Sequence, residues 1–162
     1  MIEHIMAGLS VDYINPFIEA TINTFSTMVN ITTKRDKIFL KGEGEEAYGV
    51  SGIISLDGEA HGSVVLSFHE HVAISVVSKF VGEEFTSISA SVVDGVGELT
   101  SIIAGDAKNR LIQKGYKFDI GQPKMVTGRN YVAGQNKSVP CLVVSFTSPV
   151  GQFCLEVSLR KA

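Results

Sequence analysis

Glu98 and Ser101 stand three residues apart, the spacing that makes two side chains neighbours on one helix face. The carboxylate can pair with a cation. The hydroxyl, with one donor and two acceptor lone pairs, can bind a water beside it. Gly97 and Gly105 flank the pair, and Asp94 and Lys108 frame it. A glycine inside a helix costs up to about 1 kcal/mol relative to alanine, so two in this stretch need a reason. Close approach of something large is one; tight internal packing is the other.

The helix that must hold these groups is legible in its periodicity. Val92, Val96, Leu99, Ile103 and Ala107 recur at steps of three and four and make an apolar stripe. Asp94, Glu98, Ser101, Gly105 and Lys108 fall on the opposite side. The pattern predicts a long helix over about 88–114, stopped by Gly115. Each residue also has an ordinary reading. Glu98 can be a solvated glutamate near Lys108 or Arg110, Ser101 a small residue that merely permits approach, and Asp94 and Lys108 solvated charges. Asn109 lies eight residues beyond Ser101, about 12 Å along the axis, and cannot substitute for it.

Around that helix the sequence predicts a first helix from about Tyr13 to Val29, with Asn15 as N-cap and Pro16 at the first helical position. Phe17, Ala20, Thr21, Phe25 and Met28 would form its buried stripe. A short strand follows at 35–41, ending in Gly42-Glu43-Gly44-Glu45. Asp57-Gly58-Glu59 joins strands 48–57 and 60–68 as a hairpin. Residues 70–81 read as a helix closed by Gly82. After the long helix come a strand near 123–128, a polar loop through Gly134-Gln135-Asn136-Lys137, and a hairpin of 139–147 and 151–159 about Ser148-Pro149. Each half reads helix, short strand, long hairpin. Glu19 occupies in the first helix the place of Glu98, but Ile22 stands where Ser101 stands.

Composition excludes several classes. A chain of 162 residues suits one domain with a sizeable core. Hydrophobic content of 44% against 19% charged residues is apolar for a monomer of this size, and predicts burial against a partner or a second copy. Net charge is −3 without a basic stripe, which argues against nucleic acid. No apolar run approaches the roughly 20 residues of a spanning helix, so no membrane insertion is expected. The opening Met1-Ile2-Glu3-His4-Ile5-Met6-Ala7 has no cationic segment ahead of an apolar one. A cytoplasmic protein is expected, with Cys141 and Cys154 reduced and buried where they can face one another across the last hairpin. No zinc spacing, catalytic Ser-His-Asp set, P-loop or G-x-G-x-x-G is present, and no cofactor of its own is expected. His69-Glu70-His71 puts its histidines at i and i+2, on different helix faces, and marks a strand-to-helix junction.

The stretch G-E-L-x-x-I-x-A-G-x-A-K resembles the signature helix of the CheX/CheC/FliY chemotaxis phosphatases, which reads E-x-x-N. Glu98 matches the glutamate, and Ser101 stands where that pattern has asparagine. Val126-Thr127-Gly128-Arg129-Asn130 and Asn15-Pro16-Phe17 resemble CheX-like elements, and the likeness runs from about residue 12 to 160. A turn needing glycine at positive φ accounts equally well for Gly128. The resemblance implies a single α+β domain over 1–162. It implies a pseudo-twofold αβ sandwich with an antiparallel or mixed sheet, a long central helix packed on it, and one site. It implies a homodimer and a phosphorylated response-regulator receiver (CheY-type) as partner. That receiver brings the aspartyl phosphate, a divalent metal and a lysine. Glu98 would pair with a receiver cation, Ser101 would stand in for the amide that holds the attacking water, and Asp94, Gly97, Gly105 and Lys108 would line the contact. Ser101 makes weak phosphatase activity the leading expectation. A non-catalytic module that sequesters the receiver and a dimeric scaffold without one are the alternatives.

Overall fold

The computed structural model describes residues 11–41, 48–128 and 141–161. The turn at 42–45, the loop at 134–137 and residues Arg129 and Asn130 lie outside them. The elements in chain order are α1 (Val11–Thr24), a π-helical turn (Phe25–Val29), β1 (Lys34–Leu40), β2 (Val50–Gly58), β3 (Ala60–Phe68), α2 (Glu70–Val81), α3 (Ala90–Gln113), β4 (Phe118–Ile120), β5 (Lys124–Thr127), β6 (Cys141–Thr147) and β7 (Phe153–Lys161).

The strands make one seven-stranded sheet in the order β1-β6-β7-β3-β2-β4, with β5 pairing the same outer edge of β2 as β4 does. All pairs are antiparallel. The halves exchange their short strands: β1 pairs with the second hairpin through β6, and β5 pairs with the first through β2. The two hairpins meet at β3 and β7, where the pseudo-twofold axis falls. Alternation along each strand gives the sheet two faces. Val50, Ile54, Leu56, Val64, Leu66, Phe68, Phe153, Leu155 and Val157 share the face of Gly52, which packs on Thr100 of α3, and all are buried. Phe25 stacks on Phe153 with ring centroids 4.5 Å apart, and Tyr13 meets Tyr116 edge-on at 4.9 Å, fastening α1 to the end of α3.

Two expectations for the first helix fail. The helix starts at Val11, so Asn15 is not its cap and Pro16 lies inside it. Pro16 is the sixth helical residue, past the first N–H groups that lack helical partners, so it removes one i→i−4 hydrogen bond from the helix. Met28 is 46% exposed and Val29 is buried instead. The π turn takes more residues per revolution than an α-helix, which rotates Val29 into the stripe and Met28 out of it. The strand β4 was not anticipated. Three alternating residues, Phe118-Asp119-Ile120, are too few to show a period.

The other face of the sheet mixes polar groups with the buried Val65 and Val143. Ser51 and Ser67 share a 2.8 Å hydrogen bond, and Lys41 Nζ meets Glu156 Oε1 at 2.7 Å with side chains only 7% and 4% exposed. The cysteines do not face one another: Cys141 is opposite Ser158 and Cys154 opposite Ser145, four residues apart along the strands. Both are free and buried. Burial pushes the Cys141 thiol up to about 11, and that of Cys154 higher still. Both remain protonated at neutral pH and are poor nucleophiles.

Candidate functional site

The site is built on α3. Ser89 caps the helix, its hydroxyl accepting from the Val92 N–H at 3.3 Å, a contact worth about 1 kcal/mol. Val92, Val96, Leu99, Ile103, Ala107 and Leu111 are buried beneath it. Gly115, at φ +92°, ends it in the left-handed region that favours glycine. A helix of 24 residues anchored along its whole length is a rigid support for short side chains on its outer face.

Glu98 and Asp94 are exposed on that face, and Ser101, Gly105 and Lys108 are half-buried. Among the described residues neither Glu98 nor Asp94 has an ion-pair partner. The exposure of Glu98 agrees with its ordinary reading as a solvated glutamate, and neither Lys108 nor Arg110 pairs with it. Lys108 faces Asp119 of β4 at 3.8 Å, and Arg110 is held by Asp106 at 3.0 Å and Glu19 at 3.7 Å. The hydroxyl of Ser101 likewise has no partner among the described residues. Its neighbour Thr100 is buried and donates to the Val96 carbonyl at 2.7 Å. The outer face thus offers a free carboxylate and a free hydroxyl side by side.

The three glycines of α3 differ. A Cβ at Gly95 would sit 2.5 Å from Val77 Cγ1 of α2, and one at Gly97 would sit 3.0 Å from Met125 Sδ of β5. Gly97, expected on the docking face, is buried. It lets the Met125 thioether lie against the helix, and that is its packing reason. Gly105 has no atom of the described residues within 4 Å of where its Cβ would stand, counting none of its own helix turn, so nothing among the described residues accounts for it.

Beside the face, α1 is tied to α3 by polar groups the sequence did not single out. Asn23 Nδ2 donates to Asp106 Oδ2 at 3.2 Å, and Arg110 Nε donates to Asp106 Oδ1. Residues 83 positions apart carry no shared sequence period, so only the fold reveals the pair. Met125 on the opposite flank was also missed; its place against Gly97 joins two elements and leaves no local sequence signal. Gly128 stands at φ +98° with open space around it, as the turn reading required. His69 and His71 stack at 6.1 Å at the start of α2, and among the described residues no group of three metal-binding side chains is present. Among the described residues no helix is long and apolar enough to cross a membrane.

The family model described as chemotaxis phosphatase CheX matches residues 50–147. The CheY-P phosphatase CheX of Thermotoga maritima is 27% identical over 118 residues, 72% of this chain and 76% of that protein. A CheC-like superfamily protein from Shewanella sp. PV-4 superposes with a TM-score of 0.86 at 35% identity, covering 94% of this chain and 99% of the other. The CheX–CheY–BeF3–Mg complex from Borrelia burgdorferi contains a chain with a TM-score of 0.78 and 29% identity, covering 94% and 100%.

Proposed function

This chain belongs to the CheX chemotaxis phosphatase family, and from that premise we propose that it docks on a phosphorylated CheY-type receiver through the outer face of α3 and promotes hydrolysis of its aspartyl phosphate. One observation carries the reading: Glu98 and Ser101 stand together on a rigid helix, open to the outside and unpartnered among the described residues. Acyl-phosphate hydrolysis asks little covalent chemistry of the protein that promotes it. It needs a water placed in line with phosphorus and the site held against the phosphorus centre. In this reading Glu98 pairs with a receiver cation and fixes the docking. The Ser101 hydroxyl holds the attacking water, and Asp94 and Lys108 frame the contact. The divalent metal is the receiver's, and this chain brings no cofactor of its own. The setting is the cytoplasm, where receivers work.

Ser101 also favours a second reading. Its hydroxyl is shorter than an amide by one shell of heavy atoms, so a face that docks well can still place water poorly. The protein then sequesters the phosphorylated receiver. The experiment that separates the two is the rate of phosphate loss from a phosphorylated receiver with and without saturating protein.

Docking itself is tested at Glu98. Glu98→Ala is expected to weaken receiver binding by about 1–3 kcal/mol, and Glu98→Lys by more, since like charges then face each other. Calorimetry on a beryllofluoride-activated receiver measures this; equal affinity for both variants and wild type removes Glu98 from the contact.

The working form in this proposal is a homodimer. The outer edge of β1 pairs with no strand among the described residues, and its Phe39 and Leu40 are 40% and 43% exposed. An open edge is a template for a second copy. Light scattering at high micromolar concentration is expected to give twice the chain mass; a monomer mass there contradicts it.

A further inference from the structure

Glu98 and Ser101 each follow directly on a residue that is seated inside the protein. Gly97 receives Met125 of β5, and Thr100, buried, lies over Gly52 of β2. Gly52 and Met125 stand opposite one another in the β2–β5 ladder, on one face of the sheet. A Cβ at Gly52 would overlap Thr100 Oγ1 and stand 3.1 Å from Thr100 Cβ. The two contacts interlock in opposite senses. On the sheet a missing side chain admits the threonine, and on the helix a missing side chain admits the thioether. Thr100 is pinned in turn by its 2.7 Å hydrogen bond to the Val96 carbonyl.

A glycine inside a strand weakens it and marks a close approach. At Gly52 that approach is made by the turn of α3 that carries Glu98 and Ser101. Each residue of a helix points about 100° further round than the one before it. Seating Gly97 and Thr100 therefore fixes where Glu98 and Ser101 point. Val77 of α2 closes on Gly95 from the other flank, about 160° round the helix from Gly97. The turn can roll neither way without a clash, and Gly52 sets its depth on the sheet. A roll of about 10° moves an atom ~6 Å from the helix axis by about 1 Å. An error of that size in a positioning group can cost about 10²-fold in rate.

We propose that Gly52 and Met125 are positioning residues for the phosphate hydrolysis. Their interlock with Thr100 and Gly97 sets the roll and depth of α3, and so the place at which the Ser101 hydroxyl holds its water. Neither residue takes part in the chemistry itself. This rests on the reading of Glu98 and Ser101 as the pair that promotes hydrolysis. Docking is less sensitive than the reaction, because a flexible glutamate can follow a cation through a small roll. A water in line with phosphorus has no such latitude.

The test uses the whole chain and a CheY-type receiver from the same organism. The receiver is radiolabelled on its aspartyl phosphate for single-turnover decay and held as its beryllofluoride–Mg2+ adduct for calorimetry. Variants are made in the wild type and in Ser101→Asn, so that a slow serine does not hide the effect. Gly52→Ala is expected to slow decay at saturating protein by roughly tenfold or more, and to change affinity by less than about twofold. Adding Thr100→Ala removes the hydroxyl and methyl that the new Cβ meets, and is expected to recover most of the lost rate. Met125→Ala opens the flank without a clash and should slow decay likewise. Met125→Leu, close in volume, should keep more of the rate than Met125→Ala. Rate lost at constant affinity and regained by a second substitution is a pattern that a merely structural role does not produce. Should Gly52→Ala fail to fold, the two Met125 variants decide. The proposal is overturned if folded Gly52→Ala or Met125→Ala leaves the rate unchanged, or if rate and affinity fall in proportion. It is also overturned if the double variant stays as slow as Gly52→Ala. In each of those results the parent protein still hastens decay, and the proposed function stands. If neither wild type nor Ser101→Asn hastens decay, that function and this inference fall together.

Discussion

Ser101→Asn is expected to raise the receiver dephosphorylation rate by up to about 10²-fold while leaving receiver affinity nearly unchanged. The magnitude follows from reach: misplacing a positioning group by about 1 Å can cost 10²-fold in rate. Serine keeps the hydrogen-bonding capacity but brings it from closer to the helix axis, so its water lies deeper. Side chains on a helix lean toward its N-terminus, so an amide here extends toward the turn that carries Glu98. The gain acts on the transition state rather than on docking, which is why kcat moves and affinity does not. Ser101→Ala removes the hydroxyl and is expected to abolish whatever hydrolysis the wild type supports. Single-turnover decay of a labelled receiver at saturating protein reads all three. Identical rates at the receiver's own rate would identify the sequestering module. Robust wild-type activity that only Ser101→Ala destroys would show that serine performs the amide's task unaided.

The largest effect on stability is expected at Glu156→Ala, about 3–5 kcal/mol in urea unfolding. Glu156 and Lys41 are 4% and 7% exposed in their side chains, and their 2.7 Å contact compensates two charges removed from water. The Cys141 thiol donates to the same carboxylate oxygen at 3.6 Å. Truncating Glu156 leaves an ammonium group with no counter-charge among the described residues, and the penalty for an unpaired buried charge dominates the result. Replacing both partners with methionine and leucine should recover most of the loss, because it removes the buried charges along with the pair. If Glu156→Ala costs less than about 1 kcal/mol, the pair is reached by water in solution and behaves as a surface ion pair.

That pair marks the limit of sequence reading. Lys41 and Glu156 are 115 positions apart, and each alone looks like a solvated charge; only the pairing of β1 with β6 and of β6 with β7 brings them together. The long helix was legible because its apolar stripe from Val92 to Ala107 runs for about four turns and Gly115 stops it, both local signals. Both hairpins were legible for the same reason. The sheet order was not, because nothing local tells β1 to pair with β6 rather than with the hairpin that follows it. The site was half-legible. Helical arithmetic put Glu98 and Ser101 on the open side of α3. It put Gly105 there too and left Gly97 off that side. That Gly97 is covered depends on Met125, a residue of another element, which only the fold shows.

The central claim is that the open face of α3 engages a phosphorylated receiver and hastens loss of its phosphate. The most direct measurement is the decay of radiolabelled phosphate on a CheY-type receiver from the same organism, alone, with the wild-type chain, and with Glu98→Lys. Decay faster with the wild type than for the receiver alone, returning to the receiver's own rate with Glu98→Lys, is the predicted result. A decay curve that neither protein changes, from a receiver that binds neither, would contradict it.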